Sequence, residues 1–151
     1  MNYTGSTGKN NFSFQNISSI FVFHSFPMKH FSTFSISEIE KGIIHVEYKG
    51  IEMGLQEIIQ LYDSIEEFGN GKKIALLNTF KEYVPSSEET TKYVAGERPP
   101  KLLFASAIVV ESLATHLTMM MFMKFNTQKV PRKVFSSKRK AIEWLREMKM
   151  K

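Results

Sequence analysis

The chain has 151 residues, 42% of them hydrophobic and 23% charged, a profile that suits one globular domain with a full core and excludes a disordered or fibrous chain. It contains no cysteine, which rules out a disulfide framework, a thiolate zinc site and a cysteine nucleophile, and which fits a reducing compartment. The net charge of +5 is unevenly spread: residues 124–151 hold ten Lys/Arg against two acids, and the remainder is slightly acidic.

Residues 1–27 differ from everything after them. They carry one charge, Lys9, no acid, and many Asn, Ser, Thr and Phe. The apolar run 17–26 is broken by Ser18, Ser19, His24 and Ser25, so it makes a poor signal-peptide core. Residues 1–27 are therefore expected to be a flexible or wrongly assigned extension, with the domain spanning 28–151.

Phe34 and Ile36 alternate with polar neighbours, as in a strand covered on one face. Residues 43–49 alternate more cleanly, with Ile44, Val46 and Tyr48 on one side and His45, Glu47 and Lys49 on the other, facing outward. Glu40-Lys41-Gly42 between them reads as a tight hairpin turn. Leu55, Ile58, Ile59, Tyr62 and Ile65 then follow helical spacing, stopped by Gly69 and Gly71.

Residues 74–77 are continuously apolar, as in a strand buried on both faces. Ser86, with Glu89 three residues on, has capping-box spacing and starts a short helix ending near Gly96. Arg98-Pro99-Pro100 is a stiff connection. Residues 102–110 are a second buried strand, Ser112 caps a helix over 113–125, and 133–135 form a brief strand. Ser137 caps a last helix with Ala141, Trp144, Leu145 and Met148 on one stripe. The expected fold is α/β: a single five-stranded mixed sheet, order ββαβαβαβα, with helices packed on it and parallel pairing across the helical crossovers.

Residues 102–125 are long enough to span a bilayer, but Glu111 and His116 fall near the middle and Ser112 breaks the run into strand and helix, so no membrane span is expected. The four histidines, His24, His30, His45 and His116, lack metal-ligand spacing. No glycine-rich phosphate loop and no nucleophile elbow occurs. Glu88 and Glu89 are adjacent, so on a helix they diverge by about 100° and cannot flank one bond. Metal and cofactor are expected to be none, and catalytic residues none.

From about Phe34 to Lys149 the chain resembles the bacterial SpoIIAA-like, STAS/Sec14-like small domains. The residues that carry this are Lys124-Phe125-Asn126, Val130-Pro131, Lys133-Val134-Phe135 and Ala141-Ile142-Glu143-Trp144-Leu145, with Gly42-Ile43-Ile44-His45-Val46 like that group's opening hairpin. The resemblance implies a fold related to anti-sigma-factor antagonists and to lipid-transfer domains. Antagonists carry a phosphorylatable Ser in a D-S-[ST]-G turn. The nearest residues here are Ser86 and Ser87, without the Asp and Gly, and Asn78 stands where the group's strand-end Asp is usual. Ser86 and Ser87 are the phosphorylation candidates; a plain helix cap is the competing role.

The helix over 113–125 is apolar around most of its circumference, and the sheet can cover only one side. Leu113, Leu117, Met120, Met121 and Phe122 are the candidate dimer or apolar-ligand surface, with four Met in 119–123 giving it adaptability. The expected role is a non-enzymatic, cytoplasmic regulatory or protein-interaction domain, a homodimer. The alternative is a binder of a small apolar, lipid-like ligand, whose cavity would be bordered by Met120, Met121 and Phe122. Arg132, Lys133, Lys138, Arg139 and Lys140 form a candidate basic patch, though its charge density falls short of a nucleic-acid arm.

Overall fold

The structure is a computed structural model and describes residues 27–82, 84–96, 102–125 and 129–151. The expected extension, apart from Pro27, lies outside the described residues, as do Arg98-Pro99-Pro100 and Asn126. The element order is β1 (Met28–His30), β2 (Phe34–Glu40), β3 (Ile43–Tyr48), α1 (Leu55–Gly69), β4 (Ile74–Phe80), α2 (Glu88–Gly96), β5 (Leu103–Val110), α3 (Leu113–Phe125), β6 (Arg132–Phe135) and α4 (Lys138–Lys149).

All six strands form one mixed sheet in the spatial order β1-β2-β3-β4-β5-β6. The five-stranded expectation is corrected by β1, which adds an antiparallel edge at β2 with Lys29 opposite Ile36. Three residues without alternation carry no strand pattern; β1 forms by backbone pairing at the sheet's edge. β2 and β3 are antiparallel across the Lys41-Gly42 turn, where Gly42 takes φ 80°, a conformation open to glycine. β3, β4, β5 and β6 are all parallel. The two apolar runs thus lie side by side, with Leu77 beside Ala107.

Sequential parallel strands joined by right-handed crossovers place α1, α2 and α3 on the same face. On that face Phe34, Ile36, Ile44 and Val46 pack against Leu61 and Ile65 of α1. The chain returns after β6 and lays α4 on the opposite face. There Ala75, Leu77, Ala105 and Ala107 receive Ala141 and Leu145. The small alanines let α4 approach closely, and full burial of a side chain such as Leu145 contributes about 2 kcal/mol. Ile39, odd-numbered against Phe34 and Ile36 on β2, falls on the α4 face by strand alternation, next to a register shift between Glu38 and Glu40. Arg146 makes a two-pronged ion pair with Glu40, and Lys149 Nζ donates to the Lys41 carbonyl at 2.6 Å, so α4 also clasps the hairpin.

Two local expectations change. The cap of α2 is Ser87, one residue after Ser86: Thr90 N–H donates to Ser87 Oγ at 3.2 Å, and Ser87 Oγ–H donates to Thr90 Oγ1 at 3.0 Å. Thr90 is fully buried, so the cap forms where the helix can seat it. His45 does not face outward into solvent. α4 covers that face, and His45 is half-buried with its Nε2 2.8 Å from Thr79 Oγ1.

Candidate functional site

α3 has two unlike sides, and each is a candidate site. Its thirteen residues start at Ser112, whose Oγ accepts from Thr115 N–H at 3.4 Å and whose carbonyl accepts from His116 N–H at 2.9 Å. The inner side lies over β5 and β6, where Met119 is buried and Met123 half-buried beside Val110 and Val134. The outer side is apolar yet uncovered. Leu113 is 75% exposed, Leu117 54%, Met120 44% and Met121 61%. Exposure of single apolar side chains is ordinary; four on one helix face, at i, i+4, i+7 and i+8, make a patch.

The surface expected from sequence is thereby divided. Leu113, Leu117, Met120 and Met121 stand together on the outer face. Phe122 turns partly inward, where it lines a cavity together with Met119 and Met123. A cavity bordered by Met120 and Met121 is therefore corrected: those two sit on the solvent side of the same helix.

The cavity measures about 190 Å³ and lies between the sheet and α1, α2 and α3. Its walls are mostly apolar, with Leu61, Ile65, Leu76, Leu103 and Ile108 among them. Set into these walls is a row of polar side chains, one from each parallel strand: Tyr48 on β3, Asn78 on β4, Ser106 on β5 and Arg132 on β6. Strand register creates the row, since Ser106 and Arg132 are direct partners across β5 and β6.

The hydrogen bonds of this row are directional. Asn78 Nδ2 donates to the Ala107 carbonyl at 3.2 Å and to Ser106 Oγ at 3.0 Å. A carbonyl can only accept, so the amide orientation is fixed, and Oδ1 is left facing Tyr48. The Tyr48 hydroxyl donates to it at 3.2 Å. Burial pushes the Tyr48 hydroxyl well above its ordinary range, so it remains a neutral donor. Burial also raises Tyr62, which faces the cavity from α1. Arg132 is half-buried, and desolvation pulls its guanidinium below its ordinary value, opposed by the nearby Tyr62 and Tyr48.

The remaining candidates fall apart spatially. The five basic residues do not form one patch: Arg132 turns into the cavity, Lys133 lies on the opposite face over the Phe135 ring, and Arg139 pairs with Glu143 at 2.7 Å. Lys138 and Lys140 are exposed on the first turn of α4. Of the phosphorylation candidates, Ser87 is committed to its cap, and Ser86 is exposed at the cavity's edge. Among the described residues no three His, Asp or Glu side chains gather as metal ligands, and no helix is long and apolar enough to cross a membrane. Asn78 and Ser106 match no site motif in the sequence; the one signal for them is a polar residue set into each of two buried strands.

The family model of a domain of unknown function, DUF7793, matches residues 37–149. No curated protein matches the chain significantly. Among solved structures, the chain is similar to an uncharacterised protein of the DUF3478 family, described with a SpoIIAA-like fold, from Shewanella loihica. The two share 14% identity over 80% of this chain and 92% of that one, with a TM-score of 0.49.

Proposed function

The chain belongs to the DUF7793 family, and we propose that it works as a non-enzymatic interaction domain that docks onto a second copy of itself through the outer face of α3. The observation that carries this reading is the exposed stripe Leu113, Leu117, Met120 and Met121. Leaving such a stripe in water forgoes about 25 cal/mol for each Å² that a partner would cover.

A second copy suits the face because the face is self-complementary. A two-fold axis near Leu117 runs two α3 helices antiparallel. It sets Leu113 against the second copy's Met121 and brings Lys124 to the second copy's Glu111. Glu111 and Lys124 are both exposed, at opposite ends of the helix, so each copy supplies both signs. The regulatory, cytoplasmic setting follows from the resemblance to SpoIIAA-like domains. Light scattering over a range of protein concentrations tests the reading. A mass of two chains is expected at high concentration, and a single-chain mass throughout would overturn it.

A further inference from the structure

We infer that the cavity beneath α3 is a binding site for a small carboxylate with an apolar body, the carboxylate held by Ser106 and Arg132. This goes beyond self-docking, because it uses the inner side of α3 and none of the outer stripe.

Asn78 is locked by the Ala107 carbonyl, so Ser106 Oγ must accept from Asn78 Nδ2. Ser106 is 5% exposed, and its own O–H, at the cavity wall, has no acceptor among the described residues. A buried donor without an acceptor is costly, and an acceptor brought in by a ligand removes that cost. Arg132 stands directly abreast of Ser106 and supplies a positive charge at the same end of the polar row. A neutral acceptor would satisfy the hydroxyl alone. A carboxylate accepts from the hydroxyl through a charge-assisted bond and also lies against the positive charge that Arg132 brings to the cavity wall.

The rest of the cavity sets the body of the ligand. Leu61, Ile65, Leu76, Ile108 and Met119 offer no polar group, so they select hydrocarbon. The volume of about 190 Å³ exceeds the ~150 Å³ that takes up a benzene and falls short of the ~300 Å³ where ordinary ligand pockets begin. One ring or a short branched chain fits these bounds; a long acyl chain does not. Met119 and Met123 form a compliant roof that can settle onto bodies of different outline.

The experiment labels the methionine methyl groups and follows them by NMR while phenylacetate, 3-phenylpropanoate or 4-methylpentanoate is added to the full chain, with toluene as the uncharged control. At least one carboxylate should shift Met119 and Met123 saturably and leave Met120 and Met121 in place. Arg132→Met should weaken that carboxylate about tenfold or more while leaving toluene unchanged, and Ser106→Ala should weaken it about threefold to tenfold. If Arg132→Met fails to fold, Arg132→Lys keeps the charge, loses the planar fork and should still bind more weakly. No saturable shift at Met119 and Met123 with any of the three at millimolar concentration overturns the inference. So does carboxylate binding that is indifferent to both Arg132 and Ser106 variants.

Discussion

Asn78 Nδ2 donates to Ser106 Oγ at 3.0 Å, and both residues are more than nine-tenths buried on neighbouring parallel strands. That bond ties β4 to β5 by side chains as well as by backbone, and through the Tyr48 hydroxyl it reaches β3. Replacing Asn78 by Ala would strand the Tyr48 donor and remove both amide bonds at once. The expected loss in urea unfolding is about 2–4 kcal/mol, against about 1 kcal/mol for Tyr48→Phe, which removes one donor and leaves Asn78 otherwise satisfied. Equal, small losses in both variants would show that the row is not a connected network.

The two sides of α3 should separate in mutation. Leu117→Glu and Met121→Glu alter exposed side chains, so at high dilution each should change stability by no more than about 0.5 kcal/mol. Both should abolish the rise of melting temperature with protein concentration that a self-associating chain shows. Met119→Ala empties a buried position and should cost about 2–3 kcal/mol at every concentration.

Acid should weaken the fold through His45. Burial, aided by Lys138 and opposed by Glu47, lowers its pKa from the ordinary 6.5 to about 4. The unfolded chain therefore takes up a proton between pH 6.5 and 4 that the folded chain refuses. The stabilisation is complete above pH 6.5 and falls as pH drops toward 4, by about 1 kcal/mol after allowance for solvent at this half-buried group. His45→Gln should flatten the stability curve in that window. Glu40 acts lower: the Arg146 hydrogen bond holds its carboxyl below the ordinary 4.5, so its contribution is lost only as pH falls further. An unaltered slope in His45→Gln between pH 4 and 6.5 would contradict the assignment.

The start of α2 gives a local check. Ser87→Ala removes the cap and should cost about 1 kcal/mol, whereas Ser86→Ala should be neutral within a few tenths. Hydrogen exchange in residues 88–94 should speed up in the first variant alone.

Most of the fold is legible in the sequence because apolar spacing reports burial directly. The run at 74–77 and the one at 102–110 give the central strands, and Leu55, Ile58, Tyr62 and Ile65 give α1. The register gives what spacing cannot. Asn78 and Ser106 are 28 residues apart and Ser106 and Arg132 are 26 apart; nothing local says that they share a face. β1 was hidden because an edge strand of three residues needs only backbone partners. Alternation around His45 implies one covered face and one wet face, whereas α4 covers the second as well. The outer stripe of α3 was visible as excess hydrophobicity, but its separation from the cavity-lining Phe122 depends on how the helix is rotated on the sheet.

Methionine methyl NMR during dilution tests the docking face most directly, because one helix carries reporters on both sides. Met120 and Met121 should move as the protein is diluted, and Met119 should stay still. Signals that ignore concentration at Met120 and Met121, or that move at Met119 alone, would contradict self-docking through the outer face of α3.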